Sequence, residues 1–151
     1  MRFRFICRGV KNFIMLLLAC VFTLASFVAV KAGRVCKLSA LLGERTFYLD
    51  SVSSQALMKR DLSLTDVFRV RGESVAFATD EGGVLAQRLI GEYGGKLLFT
   101  ETVCGVASYY VYVPAWGGGV ALYGQYVNLH IAIDEAAGRC AVGTPLIFGG
   151  F

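Results

Sequence analysis

Apolar and polar positions fall into three regimes along this chain. Residues 13–30 form an uninterrupted uncharged run, FIMLLLACVFTLASFVAV. From Glu44 to Gly95 the pattern breaks into short elements of mixed period. From Lys96 onward it settles to a period of two, the spacing of a strand with one buried face. In the middle regime Glu44–Asp50 (ERTFYLD) alternates weakly and is rich in β-formers, which predicts a short strand. Ser51–Asp61 reads as a short helix, with Ser53 or Ser54 as cap and Ala56, Leu57 and Lys59 as helix formers. Phe68–Phe77 reads as a strand whose apolar parity switches at Gly72-Glu73, the mark of a β-bulge. Leu85, Leu89 and Tyr93, flanked by Ala86 and Ile90, predict an amphipathic helix of about three turns. Asp80 is its expected cap, and Gly94-Gly95 its stop.

The period-two regime predicts four strands, at Lys96–Glu101, Val106–Val113, Tyr126–Ile133 and Arg139–Phe148, with a turn or bulge at Gly124-Gln125 between Val120–Tyr123 and the strand that follows. In Tyr126–Ile133, Val127, Leu129, Ile131 and Ile133 share one face; Tyr126, Asn128, His130 and Ala132 share the other. Short links between consecutive strands favour antiparallel pairing. The expected fold class is α+β: an antiparallel sheet of about five strands with one main helix packed on one face.

The charged residues alter how the N-terminus is read. Arg2, Arg4, Arg8 and Lys11 precede the apolar run, and Lys31-Ala32-Gly33 follows it. A basic start, an apolar stretch and a small-residue exit are the layout of an export signal. Val30-x-Ala32 suits cleavage after Ala32. The run is also long enough to span a bilayer, so an uncleaved anchor is the rival reading. Both place the body outside the cytosol, secreted or tethered by its N-terminus. Membrane contact is then confined to residues 13–30, and only if they are retained. Leu17-Leu18-Ala19-Cys20 has the form of a lipidation box, but Val21–Val30 stays apolar where a polar tether belongs. The chain divides into a signal or anchor at 1–32, a linker at 33–43 and one domain at 44–151.

Of 15 basic residues, five lie before Gly33, where no acidic residue occurs. The body keeps ten basic against eleven acidic residues, a net charge of −1. It therefore has no electrostatic footprint for nucleic acid. Gly117-Gly118-Gly119 lacks the lysine and following helix of a phosphate loop. One histidine with scattered cysteines makes no zinc site, and no cofactor is expected.

Two constellations have chemical potential. Cys104, His130 and Asn128 are the residue types of a cysteine hydrolase, in which a base generates the thiolate and a third group orients the base. Tyr126, Asn128 and His130, together with Trp116 in the glycine-rich loop, form a candidate binding strip. Cys104 and Cys140 are expected to be buried, unreactive thiols, with a disulfide between them as the alternative, and Cys36 to be exposed in the linker.

Val127-Asn128-Leu129-His130-Ile131-Ala132-Ile133, followed by Gly143-Thr144-Pro145-Leu146-Ile147, resembles the closing strand pair of the YwmB family. The resemblance implies an exported protein with a fold like the TATA-box-binding protein, of which this body would hold about one half. That half would stand alone or pair with a second copy. The leading expectation is an exported, non-enzymatic domain that binds a protein or cell-envelope component. The alternative is an extracytoplasmic thiol-dependent hydrolase using Cys104 and His130.

Overall fold

The computed structural model describes residues 3–149. The chain divides into two compact units, one reaching to Arg34 and the other beginning at Val35. The first unit is helical: α1 spans Phe3–Val35. Its stretch Val10–Val30 is long and apolar enough to cross a membrane, a property that signal sequences share. Leu16, Phe22 and Leu24 on it are exposed.

The second unit is built on a seven-stranded sheet. The strands are β1 (Glu44–Leu49), β2 (Leu57–Lys59), β3 (Val70–Ala78), β4 (Lys96–Val103), β5 (Val106–Tyr112), β8 (Leu129–Asp134) and β9 (Arg139–Thr144). A small hairpin of β6 (Val120–Leu122) and β7 (Gln125–Val127) forms a second sheet. The large sheet runs β2-β1-β3-β9-β8-β5-β4, with every pairing antiparallel. The class is α+β as expected, with more strands than the periodicity indicated. The last strand is the least local: β9 enters between β3 and β8, so the closing segment completes the middle of the sheet.

One sheet face is covered by α2 (Gly83–Glu92). Leu85, Ala86, Leu89 and Ile90 of the helix pack with Val75, Val111, Leu129, Ile131, Ile133 and Val142 of the sheet. Each large side chain buried there contributes about 1.5–3 kcal/mol. The helix stops as the glycines predicted. Gly94 has φ +62°, and the N–H of Gly95 reaches back to the carbonyl of Ile90 at 2.8 Å. Its start differs from expectation. The cap residue is Gly82, not Asp80, and the Glu135 carboxylate from the β8–β9 loop accepts the Gly83 N–H at 3.2 Å.

Other sequence readings also change in three dimensions. Ser51–Asp61 is not helical: Leu57–Lys59 pairs with Leu49–Phe47 as the edge strand β2, so tertiary pairing overrides a weak local propensity. The β3 bulge lies at Arg71, one residue before Gly72-Glu73, because Leu49 faces Val70 and Tyr48 faces Gly72. Tyr126–Ile133 is two strands, broken at Asn128. The final strand ends at Thr144, and residues 145–149 turn back over the sheet.

The supposed linker is the largest correction. Residues 36–41 pack into the domain, with Leu38 fully buried in the main core. What holds them is a charged pair. Glu73 has no solvent exposure; its Oε1 accepts the Leu38 N–H at 2.8 Å and its Oε2 meets Arg45 Nη1 at 2.7 Å. Arg45 Nη2 donates to the carbonyls of Leu38 (3.0 Å) and Leu41 (3.3 Å). Burial pushes the Glu73 carboxyl above its ordinary pKa, while the Leu38 N–H and the Arg45 guanidinium oppose the rise. Removing one member leaves a buried group without its counter-charge. Arg45→Met is expected to destabilise the domain by about 3–5 kcal/mol. The double change Arg45→Met, Glu73→Gln should cost clearly less than Arg45→Met alone. Urea denaturation of the three proteins checks this; equal losses in the single and double variants would contradict it.

Candidate functional site

The sheet face away from α2 carries a row of rings across three adjacent strands. Phe99 on β4 stacks on Tyr110 of β5 with centroids 4.5 Å apart. Tyr110 stacks in turn on His130 of β8, also at 4.5 Å and within 10° of parallel. Strand register creates the row, since Phe99 faces Tyr110 and Tyr110 faces His130. Two segments cap it. Tyr123, at the tip of the β6–β7 hairpin, meets Phe99 edge-on, and Glu101 accepts the hydroxyls of both Tyr110 (3.2 Å) and Tyr123 (3.4 Å). At the other end the 145–149 segment donates Ile147 N–H to His130 Nδ1 at 3.3 Å and Phe148 N–H to the Tyr48 hydroxyl at 3.2 Å. A side chain at Gly143 would strike Ile147, so this close crossing requires glycine there.

The structure disperses the residues picked out from sequence. Asn128 is buried and structural. Its Oδ1 accepts the Val113 N–H at 2.7 Å, and its Nδ2 donates to the carbonyls of Val113 (2.9 Å) and Gly117 (3.2 Å). It thereby satisfies backbone groups where the strand breaks and fixes the glycine-rich loop. Trp116 packs on the helix side of the sheet, with its ring against Tyr93 at 5.0 Å and Lys37 Nζ 5.3 Å from the ring centre. It is not part of the strip with Tyr126 and His130. His130 is buried rather than open to a ligand.

Cys104 sits exposed at the β4–β5 turn, with φ +51°, contrary to the expectation that it is buried. Beyond that turn, Val106 faces Asp134, whereas His130 faces Tyr110, four residues further along β5. At the rise of a strand this separates the Cys104 end of the sheet from the imidazole by about 13 Å. The structure therefore does not bring Cys104 and His130 together. Cys36 is half-buried against the Phe47–Leu49–Val70 cluster rather than exposed, and Cys140 is fully buried as expected. These cysteines, like Cys20, are free thiols.

Tyr126 does line a cavity. It stands exposed on β7 and, with Gln125, Lys96, Leu98, Tyr112 and Gly118, encloses a cleft of about 480 Å³. The cleft lies between the small hairpin and β4, the outermost strand of the sheet. Leu98 has no partner on β5, because Leu97 faces Val111 and Phe99 faces Tyr110. This bulge re-aims Leu98 into the cleft. Sequence reading missed Lys96, Leu98 and Tyr112. The parity of β5 could have flagged Tyr112 with Tyr110, but a bulge inside an apolar run leaves no visible signal.

Among the described residues no cluster of His, Cys, Asp and Glu is arranged to hold a metal ion. No protein-family model, curated protein or solved structure matches the chain.

The buried histidine makes stability depend on pH. Its Nδ1 accepts a hydrogen bond, so the neutral ring carries its proton on Nε2, which has no partner among the described residues. Burial lowers the His130 pKa to about 4. The unfolded chain, with the ordinary value near 6.5, therefore binds more protons between these limits. Stability is full above the unfolded value and falls as the pH drops toward 4, by about 3 kcal/mol from this group. Between pH 7 and pH 4 the wild type should lose that much more than His130→Phe in chemical denaturation; parallel profiles would contradict the assignment.

Thiol reactivity separates the cysteines. Burial pushes Cys140 up to about 12. Alkylation of the folded protein at neutral pH should label Cys104 and spare Cys140. His130→Ala should leave the Cys104 rate unchanged in peptide mass mapping. A severalfold slowing would contradict the separation of the two groups.

Proposed function

We propose that this chain is an extracytoplasmic binding domain, exported or tethered by its N-terminal helix, that takes up an extended segment of another protein along β4. The observation that carries this reading is the cleft of about 480 Å³ set against an edge strand. β4 spans Lys96–Val103 and, among the described residues, pairs only with β5, which leaves its outer row of backbone groups available to an added strand. Main-chain bonds to such a strand supply affinity, and side-chain pockets beside it supply selectivity. Leu98, Tyr112 and Tyr126 suit an apolar or aromatic side chain, and Lys96 at the rim suits an acidic neighbour.

The address rests on the basic start followed by a helix able to cross a membrane. The likeness of the C-terminal strand pair to the YwmB family agrees with an exported domain. A net charge of −1 in the body argues against nucleic acid as the partner.

Two measurements test the reading. Residues 1–40 fused to a reporter active only after export should give activity; a cytosolic, inactive reporter would overturn the address. A photo-crosslinking amino acid in place of Gln125, in cells, should give a discrete adduct with another protein, and the same label in place of Arg88 should not. Adding Leu98→Asp should abolish that adduct. No adduct from position 125, or an adduct only with a second copy of the chain, would overturn the proposed partner.

A further inference from the structure

A second, smaller cavity of about 130 Å³ opens on the same sheet face, on the side of β1, β3 and β9. Ala76 and Ala141, one on each of two paired strands, leave its floor low, and Ile147 walls it. Its polar lining combines Thr46, Tyr48 and Ser74 with Glu44, Arg60 and Arg139.

The Tyr48 and Ser74 hydroxyls in this cavity hold one hydrogen more than the described residues accept. The Tyr48 hydroxyl oxygen accepts Phe148 N–H at 3.2 Å, and it shares a 2.7 Å hydrogen bond with Ser74 Oγ. If Tyr48 donates to Ser74, the Ser74 hydrogen is left over; if Ser74 donates, the Tyr48 hydrogen is left over. Neither hydroxyl makes any other bond among the described residues, and both side chains are more than nine-tenths buried. A buried hydroxyl hydrogen without an acceptor is unfavourable, so this pair calls for an acceptor beyond the described residues.

The charges specify what kind of acceptor. Among the described residues no carboxylate lies within 4.0 Å of the Arg139 guanidinium, although Asp134 is its register partner. The Asp134 Oδ1 instead accepts the Ala137 N–H. Among the described residues Arg60 pairs only with Glu44, at 3.5 Å and in an exposed position where such a pair is weak. Among the described residues, two guanidiniums against one carboxylate give the cavity lining a positive excess beside a hydroxyl donor.

We propose that this cavity binds a small oxyanion, a phosphate or carboxylate group, between Arg60 and Arg139, with the remaining hydroxyl hydrogen of the Tyr48–Ser74 pair as its third donor. Planar guanidinium forks match both groups, and charge-assisted bonds of this kind are the strong ones. The volume admits the anion with little attached. The site is separate from the β4 cleft, and its fate does not depend on that reading.

Calorimetric titration of the full-length protein in detergent micelles tests the proposal. Inorganic phosphate, acetate and glycerol phosphate are titrated separately at neutral pH. Saturable binding of at least one is expected, loosened about tenfold or more by Arg139→Gln and by the double change Tyr48→Phe, Ser74→Ala, which removes both hydroxyls; Ser74→Ala alone leaves the Tyr48 hydrogen as a donor. Arg88→Gln, on α2 and outside the cavity lining, should leave it unchanged. Tighter binding of glycerol phosphate than of phosphate identifies a headgroup-type ligand. Equal or weaker binding identifies a free anion, and preference for acetate identifies a carboxylate. Absence of saturable binding to all three at millimolar concentration overturns the proposal. So does binding that Arg139→Gln leaves unmoved; Arg139 is exposed, so that variant keeps its fold and its result stands whatever the loss of both hydroxyls does to stability.

Discussion

A carboxylate with no access to water organises the N-terminal edge of this domain. Glu73 lies in the middle of β3, where an ionised group is tolerable only if its counter-charge and hydrogen-bond donors are fixed in place. Arg45, on the neighbouring strand, and the Leu38 N–H provide them. The same guanidinium also binds the carbonyls of Leu38 and Leu41, so satisfying one charge ties residues 36–41 to the sheet. That tie seats Leu38 in the core alongside α2. A stretch with no periodicity of its own is thus ordered by the needs of a residue 35 positions away.

The two sheet faces then have different duties. The helix-covered face is the apolar core, and its side chains come from β3, β5, β8 and β9 in strict alternation. The opposite face is a row of rings and hydroxyls covered in part by the β6–β7 hairpin and the 145–149 segment. These covers leave two gaps, one at each side of the sheet. The rings of Phe99 and Tyr110 are half-buried and that of His130 is buried, while the cavities lie where irregular elements meet the outer parts of the sheet. Binding surfaces on rigid scaffolds commonly arise this way, from loops and bulges rather than from regular strands.

His130 illustrates why a residue type is a poor guide to its duty. On a strand whose alternate positions are apolar, it reads as the polar outward member. In the folded chain its ring is stacked on Tyr110 and its Nδ1 is taken by a returning backbone. Asn128 likewise offers amide atoms that suit a ligand, yet it uses them on Val113 and Gly117. Both are occupied by segments that arrive from elsewhere in the chain.

The local pattern determined a good deal. The apolar run at 13–30, the helix over Leu85–Tyr93 with its glycine stop, the inward face of Leu129, Ile131 and Ile133, and the α+β class all follow from periodicity and capping chemistry, which act over a few residues. The sequence also marked Tyr126 as a candidate contact residue, and it lines the cleft beside β4. Tertiary structure decided the rest. Leu57–Lys59 became a strand because β1 offered an edge, and residues 36–41 joined the core because Glu73 required donors. The separation of Cys104 from His130 followed from the register of β5 against β8. Pairing register, bulge position and the partners of buried charges depend on which distant segments meet, and no short-range pattern encodes that meeting.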